Sequence, residues 1–121
     1  MNITYVPDPS HSYCGQACVA MLTGVAFEEV IELMKPDENR VTKKVLKKWL
    51  NYYGIKYAPK STRYDPNIPL PELCIIRMML ASRYGHWGIY FKGKYYDPDF
   101  GLLDECPPQS KIFQVWEIYK T

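Results

Sequence analysis

The hydrophobic pattern of this chain changes period at Gly54, and that change constrains the fold more than any other feature. Before Gly54 the apolar residues recur at helical spacing. In "CGQACVAMLTG", Cys14, Cys18, Met21 and Leu22 share a face, Ser12 stands where an N-cap is expected and Gly24 stops the run. "FEEVIELM" places Phe27, Val30, Ile31 and Met34 on one side, with Pro36 beyond it. Thr42 then caps "KKVLKKWLNYY", whose apolar stripe is Val45, Leu46, Trp49, Leu50 and Tyr53. After Gly54 come "IKYAP", "LCIIRMML", "HWGIYF", "KYYDP" and "IFQVWEIY", short runs rich in aromatic and branched residues, divided by Pro, Gly, Asn and Asp. "FKGKYY" sets Lys92-Gly93 between two such runs, which predicts a tight hairpin. Helices first and antiparallel strands afterwards predict an α+β architecture.

A chain of 121 residues suits one domain, 1–121, and its 47% hydrophobic content allows a core without a disulfide framework. The net charge of +2 argues against nucleic acid held mainly by charge. "KKVLKK" reads as a solvated helix face with Lys43, Lys44, Lys47 and Lys48 outward, although a Lys-rich helix could also serve a nucleic-acid or acidic partner. The opening "MNITYVPDPSHSY" has neither a basic start nor an apolar run, and no window approaches the roughly 18 apolar residues of a membrane span. A cytoplasmic, reducing setting is therefore expected, where four cysteines serve as free thiols, ligands or catalysts rather than bridges. The eleven tyrosines fit half-buried strands or a groove for an extended peptide equally well.

The chemistry begins with Cys14. A cysteine at a helix N-terminus meets the positive end of the helix dipole and unpaired backbone N–H groups, and both favour the reactive thiolate. Gly15 leaves space beside the sulfur, while Cys18, one turn further on, points to the core. A thiolate nucleophile works with an imidazole, and only His11 and His86 are available. With a two-residue turn at Lys92-Gly93, Phe91 faces Lys94. Counting outward, His86 faces Asp99 and has Asp97 as its diagonal neighbour on the same face. A carboxylate there would orient the ring and stabilise its protonated form.

Each of these residues also has a plainer reading. Cys14 and Cys18 could be two small buried residues, His86 a hydrogen-bonded structural histidine beside Trp87, and Asp97 a turn residue in "DPDFG". His11 reads as a loop residue close enough to Cys14 to line a cleft. A zinc site drawn from Cys14, Cys18, Cys74, Cys106, His11 and His86 lacks a Cys-x-x-Cys pair, and packing explains Cys74. Neither metal nor cofactor is expected.

"YCGQACVAM" followed by "GHWGIYFKGKYYDPDFG" resembles the bacteriocin-processing cysteine peptidases, the double-glycine leader peptidases of the papain-like superfamily. The resemblance runs over residues 8–101, is specific in those two blocks, and also fits the strand "LPELCIIRM". It implies a papain-like fold with N-terminal helices packed on a C-terminal antiparallel sheet, and a cysteine peptidase acting on a peptide or protein substrate. In that scheme Cys14 is the nucleophile, His86 the base and acid, and Asp97 the orienting group. The family also carries a Gln six residues before the nucleophile as oxyanion donor, and here that position is Asp8. A carboxylate there would repel the developing charge, leaving the Cys14 N–H with Ser10, Ser12 or Gln16 as donors. Asp8 is accordingly the feature that favours a rival, a papain-like binding module without turnover. Acyl transfer would need the same triad as hydrolysis.

Overall fold

The computed structural model describes residues 3–37, 41–81 and 84–119. Three helices come first: α1 (Cys14–Thr23), α2 (Phe27–Leu33) and, after a 3-10 turn at Lys35–Asp37, α3 (Lys43–Tyr52). Seven strands follow: β1 (Lys56–Tyr57), β2 (Thr62–Arg63), β3 (Leu73–Leu80), β4 (Gly85–Phe91), β5 (Lys94–Asp97), β6 (Gly101–Leu103) and β7 (Ser110–Tyr119). They form one antiparallel sheet in the order β1-β7-β3-β4-β5-β6, with β2 also on β7. The α+β architecture expected from the change of period is what forms. No single helix among the described residues is long and apolar enough to cross a membrane.

The helix punctuation follows the sequence with one exception. Gly24 ends α1 with φ of 75°, in the left-handed region that favours glycine. The Thr42 hydroxyl accepts the Val45 N–H at 3.3 Å to start α3. Ser12, however, does not cap α1. Its hydroxyl turns to the Ser10 carbonyl, and the N-cap residue is Tyr13, which contributes no side-chain bond.

Helix α1 is buried from Gly15 to Leu22, so it is an internal helix rather than an amphipathic one. It packs with Leu46, Trp49 and Leu50 of α3 against Ile75, Trp87, Ile89, Phe91, Trp116 and Ile118 of the sheet. A smaller cluster of Cys74, Ile76, Met78 and Val115 fills the other face. The central strand β3 is thus covered on both sides, and it reads as a nearly continuous apolar run instead of an alternating one. One lysine departs from its expected place: the Lys43 ammonium folds inward over the Trp116 ring and bonds the Ser61 hydroxyl at 3.0 Å, while Lys44, Lys47 and Lys48 stay exposed.

The β4–β5 hairpin is the element that builds the site. Lys92 and Gly93 both have positive φ, 47° and 87°, the two-residue turn whose twist matches the flanking strands. Phe91 pairs with Lys94, Tyr90 with Tyr95 and Ile89 with Tyr96. That is the register counted from the sequence.

Candidate active site

His86 is the second residue of β4, and the hairpin register carries it to the end of β5. Its side chain is buried, 2% exposed. Nε2 lies 2.7 Å from Oδ1 of Asp97, and Nδ1 lies 3.6 Å from Oδ2 of Asp99. Cys14, at the first turn of α1, neighbours the same ring and helps to hold its proton. Nε2 is thus engaged by Asp97, while Nδ1 faces Asp99.

Asp97 bonds in two directions. Its Oδ1 accepts the backbone N–H groups of Asp99 at 2.9 Å and Phe100 at 3.1 Å, as a turn residue does, and accepts from the imidazole as well. Its Oδ2 is buried with no hydrogen-bond partner among the described residues. The N-terminal segment holds this corner in place. The Tyr5 hydroxyl donates to the Asp97 carbonyl at 2.6 Å, and the Asp8 N–H donates to the Pro98 carbonyl at 2.8 Å.

Electrostatics separates the titratable groups. Burial alone would push His86 toward the neutral ring. The hydrogen bonds to Asp97 and Cys14, together with their charges, outweigh it and raise the imidazole to about 10. Burial pushes the other three thiols up: Cys18 well above its ordinary value, Cys74 to about 12, and Cys106 more modestly. At neutral pH those three hold their protons, which is the unreactive form.

The helix mouth resolves the position of Asp8. Its carboxylate is buried, accepting from the Ser10 hydroxyl at 2.7 Å and from the Tyr13 N–H at 2.6 Å. It therefore supplies the acceptor at the start of α1 that Ser12 does not, and it is not among the residues lining the cleft beside Cys14. The backbone N–H groups of Cys14, Gly15 and Gln16 have no acceptor among the described residues, as expected for the first turn of a helix. Gln16 is 1% exposed, and both atoms of its amide are without a partner among the described residues.

The cleft has a volume of about 430 Å³ and is lined by Cys14, Gln16, Val41, Arg77, Tyr84 and Trp87 together with the short residues between them. Gly15 lines the cleft beside Cys14, but the direction a side chain there would take is filled. A Cβ at Gly15 would collide with Val41 Cγ1, and the Val41 carbonyl accepts the Trp87 indole N–H at 2.8 Å. Val41 is thus pinned between helix and sheet as one wall of the cleft. His11 lies outside it: exposed, in the left-handed region with φ of 59°, and with Nδ1 3.3 Å from Asp99 Oδ1. A separate groove of about 300 Å³ runs along β2 and β7 and contains none of the candidate residues.

Compared with family models and with curated proteins, the sequence matches none. The site therefore rests on its own geometry: Cys14, His86 and Asp97, drawn from three elements, meet in one corner. Among the described residues no group of three or more His, Cys, Asp or Glu is placed to hold a metal ion. The structure adds residues the sequence reading passed over, chiefly Tyr5, Val41 and Arg77. Only Arg77 left a signal, as the single charge inside the apolar strand "LCIIRMML".

Proposed function

We propose that the chain is a thiol hydrolase of papain-like arrangement, a cysteine peptidase in which Cys14, His86 and Asp97 act as nucleophile, acid–base and orienting group. The observation that carries this reading is the buried His86–Asp97 bond at 2.7 Å with Cys14 in reach of the same ring. Cys14 Sγ attacks the carbonyl carbon of the scissile amide. The oxyanion finds the free N–H groups at the mouth of α1, where the helix dipole favours negative charge. His86 gives its proton to the leaving amine, and water, deprotonated by His86, then resolves the thioester. Asp8 weighs less toward a module without turnover once both its oxygens are occupied outside the cleft. The resemblance to leader peptidases supports a peptide substrate.

Iodoacetamide labelling located by peptide mass spectrometry tests the reading. Cys14 should label at pH 6 at least about tenfold faster than free cysteine, whose thiol is mostly protonated there, and His86→Ala should remove the advantage. Cleavage of a mixed peptide library should likewise disappear in Cys14→Ser. A Cys14 that labels as slowly as Cys18, or that is indifferent to His86, overturns the proposal.

A further inference from the structure

Arg77 is the one charge in the apolar strand β3, and it lies in the cleft with Cys14. It pairs with Trp87, one ladder position from His86, and its Nη2 passes 3.9 Å from where a Cβ on Gly85 would stand. Its guanidinium carbon lies 5.1 Å from the Trp87 ring centre and 5.4 Å from that of Phe113. Phe113 is the extra residue of a bulge: Arg77 pairs with Gln114 and Met78 with Ile112, leaving position 113 to reach the cation. The side chain is half-buried, yet no carboxylate lies within ion-pairing distance of it among the described residues. Among the described residues, none that lines the cleft is acidic.

A half-buried cation without a counter-ion is costly, and proteins normally pair such charges. Two aromatic faces offset part of that cost and hold the guanidinium stiff, but stacking leaves the edge of the fork unused. That edge is the part of an arginine that matches a carboxylate with two parallel hydrogen bonds. The surroundings agree in sign. Thr42, at the positive end of α3, lines the same cleft, and Lys43 shares a small adjoining cavity with Arg77.

We infer that Arg77 is a substrate-specificity residue that binds a carboxylate one or two residues from the scissile carbonyl. The size of the cleft sets that span: Arg77 and Cys14 line one space of about 430 Å³, which an extended peptide at about 3.3 Å per residue crosses in very few residues. This inference rests on the thiol-hydrolase reading for the word substrate, but the anion site stands on Arg77 alone. Two sources share the chemistry, the free C-terminus of a peptide and an Asp or Glu side chain.

Three alkylating probes separate these possibilities: bromoacetyl-glycine with a terminal carboxylate, bromoacetyl-aspartamide with only the side-chain carboxylate, and neutral bromoacetyl-glycinamide. Their rates at Cys14 are compared in wild type, Arg77→Gln and Arg77→Lys. At least one acidic probe should label Cys14 about tenfold faster than the neutral one, the scale of a charge-assisted hydrogen bond, and the faster acidic probe names the source. Arg77→Gln should abolish the preference, and Arg77→Lys, which keeps charge but not the fork, should restore part of it. The lysine variant carries the comparison should the glutamine variant fail to fold. Equal rates in wild type, or a preference that survives Arg77→Gln, overturn the inference. Slow labelling by every probe with the ratio intact overturns the hydrolase reading and leaves the anion site standing.

Discussion

At the scale of residues, the site turns on a competition at one imidazole. Burial favours the neutral ring, while a hydrogen bond of 2.7 Å to Asp97 and the neighbouring Cys14 favour the charged one. Asp97→Asn isolates the charge: the amide oxygen can still accept from Asp99, Phe100 and the ring, so the turn survives. The ring pKa, followed by NMR, should fall from about 10, since burial then meets less opposition. An unchanged titration would mean that Asp97 holds the turn and nothing more. Cys14, His86 and an aspartate were legible as single residues because hairpin counting and helix position both act over short range. Asp8 was not legible in its real role. Its sequence position marks it as a repulsive group beside an oxyanion, but the loop folds its carboxylate back onto Ser10 and the Tyr13 N–H.

At the scale of elements, what could be read depended on how far each contact reaches. The three helices and the four longer strands, β3, β4, β5 and β7, announce themselves through period and punctuation. Strands β2 and β6, of two and three residues, are too short to show a period and exist because neighbours pair with them. The Val41 wall is likewise invisible from sequence, since it needs α1, β4 and the segment before α3 to meet. Gly15 is the hinge of that packing. Gly15→Ala would drive a methyl against Val41, whose carbonyl is fixed by Trp87. Overpacking of this kind costs about 1–3 kcal/mol. Urea denaturation should show that loss, and Cys14 labelling should slow as the helix mouth shifts. Val41→Gly removes all three close contacts, so the double variant should lose less than the sum of the single ones. Strict additivity would show that the two residues do not touch in solution.

At the scale of the whole molecule, the fold gathers groups that hold protons more tightly inside than outside. The central strand is covered on both faces; Cys18 and Cys74 are removed from water and Tyr95 is half-buried, while His86 is held charged against its own burial. Every one of these shifts is upward. For His86 the stabilisation is complete below its unfolded value of about 6.5 and is lost as pH rises through about 10. For Cys74 the unfolded thiol ionises near 8.5 while the folded one waits until about 12, so deprotonation draws the chain toward unfolding across that interval. Between pH 9 and 10 both act in the same direction, and each proton contributes a slope of up to about 1.4 kcal/mol per pH unit. Urea midpoints should therefore begin to fall above about pH 6.5, where His86 alone acts, and fall more steeply above pH 8.5, where Cys74 joins it. Cys74→Ala should make that fall shallower by up to one proton's slope, whatever constant cost its missing sulfur adds. A midpoint that stays level from pH 7.5 to pH 10.5 would mean that the protein opens enough in solution to hydrate these groups, and the dry, two-faced sheet would have to be abandoned with it.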